Sequence, residues 1–175
     1  MNDGHTEPAS PVVLTREEHV LIGEMVEILG WTDDLMAQMV DRVDRSMQLS
    51  RMTNVRQRTR AWADAMRGTH SDPAIGRLID IAEARYPTFA ELRNDFVHAL
   101  FEGDYVEAGY VEPGYQTTSA TRHRTGITRP TSDLDEARDM AAAFSCLFAH
   151  IDFCTRLGAD PTESPWHSRI DVFLQ

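Results

Sequence analysis

The sequence predicts an all-α fold, an up-and-down bundle of five or six helices with a β-hairpin or extended loop inserted before the last long helix. Apolar residues recur at helical spacing through most of the chain. Several of these stretches follow residues that typically begin helices. The pattern changes after Gly103, where β-forming residues flank the turn Pro113-Gly114.

The 175 residues are the usual length of one domain, and the chain divides into three parts. Residues 1–14 have no helical period and are predicted to be a flexible lead-in. Residues 15–158 are predicted to form the helical domain, with the hairpin at about 104–130. Residues 159–175 form an apolar tail, which we expect to pack on the domain or on a dimer partner.

Local signals place the individual helices. Thr15 and Glu18 have the spacing of a capping box, and Gly30 indicates a stop or kink after this first helix. Pro87 is predicted to end a later helix, and Thr88 is predicted to begin the next one, which reads TFAELRNDFVHALF. Further helix starts are expected at three positions: Thr53 or Asn54, Pro73, and Ser132 or Asp133.

Composition and charge exclude several classes of protein. The net charge of −11 argues against a protein that coats nucleic acid through a broadly basic surface. All 17 cationic residues are arginine, which excludes a lysine nucleophile, a Schiff base and a Walker lysine. The N-terminus lacks the features of a secretory signal, and no apolar run approaches the length of a membrane span. We therefore expect a cytoplasmic protein.

The two cysteines are not expected to form a disulfide or a metal site. Cys146 and Cys154 lie eight residues apart in one predicted helix, about 12 Å along its axis, which is too far for a disulfide. His150 lies midway between them, but the two thiols are too distant to bind one zinc ion together. Neither a metal nor another cofactor is therefore expected.

Two predicted helices are apolar on more than one side. In the helix that begins at Thr88, Arg93 lies at the edge of the core stripe, and Asn94 and His98 lie side by side on another face. Val97 and Phe101 form a second apolar strip. The last long helix also has two apolar faces. A second apolar face on each of these two helices favours a homodimer. The alternative is that the apolar tail covers one of the faces.

The segment Arg93-Asn94-Asp95-Phe96-Val97-His98 resembles the R-x-x-x-x-H motif of the HEPN superfamily, which includes metal-independent ribonucleases of microbial defence systems. The resemblance implies a homodimeric RNA-cleaving bundle that brings two copies of the motif into one cleft. It also implies that Arg93, Asn94 and His98 are catalytic, in a toxin or defence effector. Some toxins of this superfamily carry a modifiable tyrosine two residues after the histidine. Here Leu100 occupies that position, so control by a tyrosine-modifying antitoxin is not expected.

An acid-free basic stretch between Tyr115 and Thr131 is the candidate RNA-binding surface. Its candidate contacts to the RNA backbone are Arg122, His123, Arg124 and Arg129. The alternative is a solvated hairpin with no ligand. A second cluster, Arg51–Arg67, is interpreted as neutralising the protein's own carboxylates.

Two other functional classes stay open at this point. One is a non-catalytic HEPN-like module that binds nucleotide, RNA or a protein partner, which the acidic net charge favours. The other is a purely structural helical dimer, in which the motif residues affect stability alone.

Overall fold

The computed structural model describes the backbone of residues 14–97, 99–106, 114–122 and 128–174, and the side chains of residues 14–97 and 129–173. Within these ranges the protein is an all-α bundle with a small sheet inserted before the last long helix, as predicted. The five α-helices are α1 (Arg16–Val43), α2 (Val55–Met66), α3 (Pro73–Val97), α4 (Asp133–Leu157) and α5 (Asp171–Leu174). The three strands are β1 (Ala99–Val106), β2 (Gly114–Arg122) and β3 (Thr128–Pro130).

Three of the predicted start signals cap helices in the structure, whereas Thr88 lies inside α3 and the Ser132 side chain forms no capping hydrogen bond at the start of α4. Thr15 and Glu18 form both hydrogen bonds of a capping box at the start of α1. The Asn54 side chain accepts from two backbone N–H groups at the start of α2. Pro73 is the first residue of α3, and the preceding Asp72 accepts from the backbone N–H of Ala74.

The predicted break at Gly30 is wrong, because α1 continues through this residue. Glycine inside a helix costs only about 1 kcal/mol relative to alanine. Buried residues continue at steps of three and four on both sides of it, at Met25, Leu29, Thr32 and Met36. One continuous stripe of buried side chains therefore packs into the core. The free energy gained by burying this stripe outweighs the helix-propensity cost of the glycine.

The predicted break at Pro87 is also wrong, because Pro87 is buried in the interior of α3. Proline removes one helical hydrogen bond, at a cost of about 3 kcal/mol. Tyr86 and Phe89, on either side of it, are both in the core. Their burial keeps the two predicted helices joined as one.

The motif helix ends earlier than predicted, at Val97 rather than Phe101. Ala99 is already the first residue of β1, where it pairs with Arg122 of β2. Leu100 and Phe101 continue this antiparallel ladder. Pairing with β2 satisfies the backbone groups of these residues in a way that a longer helix would exclude.

The inserted sheet is antiparallel, in the order β1-β2-β3. The β1–β2 register shifts between Glu102 and Gly103, which marks a β-bulge. The third strand lies against β2, with Ser119 opposite Pro130. The insertion is thus a hairpin extended by one short strand, and it leads directly into α4.

Aromatic rings fill the centre of the bundle, where α2, α3 and α4 meet. The Phe148 ring centroid lies 4.7 Å from that of Trp62 and 5.1 Å from that of Tyr86. Phe144 contacts Tyr86 at 5.5 Å, with the rings edge to face. Such tilted pairs add to the apolar burial that holds the helices together.

The C-terminal tail packs on α4 of its own chain. Phe173 is buried, with its ring 5.0 Å from Phe144. Trp166 lies edge to face with Phe153 at 6.2 Å, on another side of α4. The tail therefore packs on part of the second apolar face of α4, which supports the alternative to a homodimer, whereas Leu157 at the end of this face stays exposed.

By length and composition alone, α4 is apolar enough to cross a membrane. Its buried residues, from Leu134 to Cys154, face the other helices and the tail. This central position accounts for the apolar composition of the helix. The prediction that no segment spans a membrane stays a prediction.

Phe148→Ala is expected to lower the free energy of unfolding by about 3–5 kcal/mol, because it leaves a cavity between Trp62 and Tyr86. Urea denaturation followed by circular dichroism measures this loss. The matched control Val20→Ala removes an exposed apolar side chain and should change stability by less than about 0.5 kcal/mol. Equal losses in both variants would contradict the central role of the aromatic cluster.

Candidate functional site

The candidate site is built around a polar cluster where α1, α2 and α3 meet. Asp33 of α1 accepts a hydrogen bond from Arg58 Nη2 of α2 at 2.6 Å and one from Tyr86 Oη of α3 at 3.0 Å. The ion pair between Arg58 and Asp33 is largely shielded, with side-chain exposures of 19% and 26%. One carboxylate therefore connects three helices.

Arg93 extends this cluster along α3. It lies seven residues after Tyr86, about two helical turns along the same side of the helix. Burial and the neighbouring Asp33 raise the pKa of the Tyr86 hydroxyl, whereas the positive charges of Arg58 and Arg93 lower it. Both guanidinium groups therefore act on the same buried hydroxyl.

The cluster carries more donors than acceptors among the described residues. Arg93 Nε and Arg58 Nε are both buried without a hydrogen-bond partner there. Asp33 is the carboxylate that pairs with Arg58, and within the described residues Arg93 forms no ion pair. An anion that accepted from these N–H groups would satisfy buried donors that the described part of the chain leaves unpaired.

Of the other two predicted catalytic residues, only Asn94 has a described side chain. Asn94 is half-buried in the last turn of α3, whereas His98 lies outside the described residues. The predicted arrangement of His98 beside Asn94 therefore involves a residue outside the described ones, and the catalytic role of both residues stays a prediction.

Among the predicted RNA-binding residues, Arg129 has a described side chain. Its Nε donates to Oδ2 of the buried Asp95 at 3.3 Å. Asp95 is two positions after Arg93, so the two side chains leave α3 about 160° apart. The structure therefore places Arg129 and Arg93 on different sides of α3.

The other predicted RNA-binding residues have no described side chains. Arg122 is the last residue of β2, where its backbone pairs with Ala99. His123 and Arg124 lie outside the described residues. Their proposed contacts with RNA stay predictions.

The Arg51–Arg67 cluster neutralises carboxylates of the same chain, as predicted. Arg56 pairs with Glu91 at 3.2 Å, and Arg67 pairs with Asp64 at 2.6 Å. Arg67 also pairs with Asp80 and Glu83. The pairs with Glu91, Asp80 and Glu83 join α2 to α3.

Sequence reasoning missed Asp33 and Tyr86, which position the cluster. The spacing of seven residues between Tyr86 and Arg93 was a usable signal, because it places both side chains on one side of a helix. The predicted break at Pro87 hid this relationship. Asp33 carried no local signal, since its partners come from two other helices.

A second cluster of titratable groups lies between α4 and the tail. His150 is completely buried, with Nε2 at 3.8 Å from Cys154 Sγ and its ring 6.0 Å from that of His167. Burial and His167 lower the pKa of His150 to about 4. Burial raises the pKa of Cys154 to about 11, so both groups are neutral at pH 7.

Both cysteines are free thiols, as predicted. Among the residues that the structure describes, no group of three histidine, cysteine or acidic side chains has the arrangement of a metal site. We therefore treat the His150 cluster as a packed interior contact between α4 and the tail.

Comparison of the chain with models of known protein families, with characterised proteins and with solved structures found no match.

The buried His150 is expected to make stability depend on pH. Its pKa is about 4 in the folded protein and near 6.5 when exposed, so between these values the unfolded chain binds a proton that the native protein does not. This contribution to the free energy of unfolding is fully present above about pH 6.5 and falls by about 3 kcal/mol as the pH drops to 4. Urea denaturation across this range measures the slope.

His150→Gln should remove this component of the slope, whatever its effect on stability at pH 7. The control His19→Gln changes an exposed histidine on α1 and should leave the slope as in the wild type. An unchanged slope in His150→Gln would show that other groups produce the pH dependence.

Proposed function

We propose that this protein is a metal-independent endoribonuclease of HEPN type that cleaves RNA by attack of the 2′-hydroxyl on the adjacent phosphate. The observation that carries the proposal is the arginine of the motif, Arg93, which has a buried N–H without a partner among the described residues, as does Arg58, whose charge acts on the same Tyr86 hydroxyl. Arg58 and Arg93 together provide donors and positive charge in a protein of net charge −11. A phosphate is the ligand that these features suit.

The reaction needs no metal ion. A base removes the proton of the 2′-hydroxyl, the oxygen attacks phosphorus, and the bond to the 5′-oxygen breaks as that oxygen takes up a proton. The products are a 2′,3′-cyclic phosphate and a 5′-hydroxyl end. His98 is assigned the proton transfers, since an imidazole titrates close to neutral pH.

Arg93 is assigned the phosphate. Its guanidinium can donate two parallel hydrogen bonds to non-bridging oxygens, whose negative charge grows in the transition state. Arg58, held by Asp33, contributes positive charge to the same polar cluster. Asn94 is assigned to orient His98 or to hydrogen-bond the phosphate.

The proposed unit is a homodimer. Arg93 and His98 lie five positions apart, about 140° around a helix, so one copy of the motif does not by itself bring the two groups together. Two copies related by a two-fold axis would place an arginine from one chain near a histidine from the other. A cytoplasmic toxin or defence effector with an unidentified antitoxin fits this activity.

The net charge of −11 favours a second candidate, a non-catalytic module of the same type. Binding of nucleotide, RNA or a protein partner would require the arginine cluster alone. The two candidates differ in whether His98 affects the outcome.

Purified protein is expected to cleave total RNA in the presence of EDTA and to leave 2′,3′-cyclic phosphate ends. His98→Ala and Arg93→Ala should each reduce the cleavage rate by about 10²–10⁴-fold, through loss of proton transfer or of phosphate contact. Gel analysis of the RNA and mass spectrometry of the product ends provide the measurements.

Arg77→Ala is the matched control, because Arg77 is an exposed arginine of α3 outside the polar cluster. Its cleavage rate should equal that of the wild type. RNA binding without cleavage, unaffected by His98→Ala, would replace the nuclease with the non-catalytic module. If the wild-type protein neither binds nor cleaves RNA, the nuclease is overturned, and so is the RNA-binding form of the second candidate.

Light scattering is expected to give the mass of two chains, about twice 19.8 kDa, at the concentrations used for cleavage. The homodimer is required because the proposed cleft takes groups from both copies. A cleaving monomer would contradict the shared cleft while leaving the nuclease activity in place.

A further inference from the structure

A groove of about 480 Å³ lies between α3, α4 and α5. Its floor consists of three aromatic rings, Phe89, Phe144 and Phe173, each at most 5% exposed. Phe144 stacks on Phe89 at 5.2 Å and contacts Phe173 at 5.0 Å. Neighbouring rings fix this floor, and its volume is in the range of small-molecule sites.

The edge of the groove is polar and basic, whereas its floor is apolar. Arg85 and Arg129 lie there with Thr88, and none of the described lining residues is acidic. In a chain with 28 acidic and 17 basic residues, an apolar groove edged by two arginines has the opposite charge balance to the protein as a whole.

The two arginines differ in how they are held. Arg85 is exposed and forms no ion pair among the described residues. Arg129 uses Nε for the buried Asp95, and 39% of its side chain stays exposed. Asp95 does not line the groove, so it anchors Arg129 from behind. Arg129 is thus fixed at the edge of the groove, whereas Arg85 is free to move toward a ligand.

We infer that this groove binds a small amphiphilic carboxylate. An aliphatic or aromatic body would lie on the three phenyl rings, where its burial is favourable. The carboxylate would accept hydrogen bonds from Arg85 and Arg129 at the edge. Arg93 does not line the groove, so the inference is independent of the proposed ribonuclease activity.

Acidic residues next to the groove limit the size of the anion. A smaller neighbouring cavity shares Arg129 and is lined by Asp133 and Glu136. These carboxylates would repel further phosphates of a nucleic acid strand on that side. A ligand with one negative head group avoids this repulsion, which favours a small carboxylate over a polyanion.

The test uses the full chain with 8-anilinonaphthalene-1-sulfonate as a fluorescent probe, displaced by decanoate or by uncharged decan-1-ol. Decanoate should displace the probe at a concentration ~10-fold lower than decan-1-ol, because the arginines bind its carboxylate. Arg85→Gln should weaken decanoate by ~3- to 5-fold and leave decan-1-ol unchanged. Arg77→Gln, which alters an exposed arginine of α3 outside the groove, should have no effect on either.

Thr88→Phe fills the mouth from an exposed position and should weaken both ligands. Thermal unfolding by circular dichroism verifies that each variant is folded. Arg93→Ala should bind decanoate as the wild type does, whether or not RNA is cleaved, which separates this site from the proposed nuclease.

Equal displacement by decanoate and decan-1-ol, or an unaltered affinity in Arg85→Gln, would overturn the carboxylate site. Decanoate binding that Thr88→Phe does not weaken would place the ligand elsewhere and overturn it too. A dimer that dissociates in Thr88→Phe would assign the groove to a second copy of the chain instead.

Discussion

The bundle and its polar cluster depend on one side chain, Tyr86. Its ring packs between Phe144 and Phe148 of α4, while its hydroxyl donates to Asp33 of α1 at 3.0 Å. A buried tyrosine is stable only where its hydroxyl has a partner, since an unpaired polar group in the interior costs free energy. The position of Asp33, and through it that of Arg58, is therefore tied to the packing of α3 on α4.

Arginine has two roles in this acidic protein. Arg56 and Arg67 of the Arg51–Arg67 cluster lie in ion pairs that join α2 to α3. The pair of Arg58 and Arg93 is different, because each keeps a buried N–H unpaired within the described residues. Local positive potential in a protein of negative net charge requires such an excess of cations over nearby carboxylates.

Sequence patterns located most of the helix starts correctly, but they placed breaks at Gly30 and Pro87, and a start at Thr88, where the helices continue. The caps at Thr15 and Asn54 depend on hydrogen bonds within three residues, which a local pattern contains in full. The effects of Gly30 and Pro87 depend on a balance between local propensity and burial in the assembled core. Burial is a property of the whole bundle. A local pattern therefore does not show whether the propensity cost or the free energy of burial is larger.

The residues of the candidate site also divide into those that a local pattern identifies and those that depend on the packing of the helices. Arg93 was identifiable from a short motif, whereas Asp33 and Tyr86 lie 60 and seven positions away from it along the chain. Two of the helices packed around this cluster had been divided in the prediction. Asp33 and Tyr86 could have been connected to Arg93 only after the continuity of α3 and its contact with α1 were known.

By itself, the sequence determined the all-α class, most of the helix starts, the excess of acidic residues and the separation of the two thiols. Each of these depends on composition or on backbone contacts within a few residues. Only the tertiary structure decided that α3 ends at Val97, that the tail covers α4, and that Arg129 faces Asp95 rather than Arg93. These outcomes are set by strand pairing, burial and ion pairs between residues distant in the chain, whose energies exist only once the helices have packed.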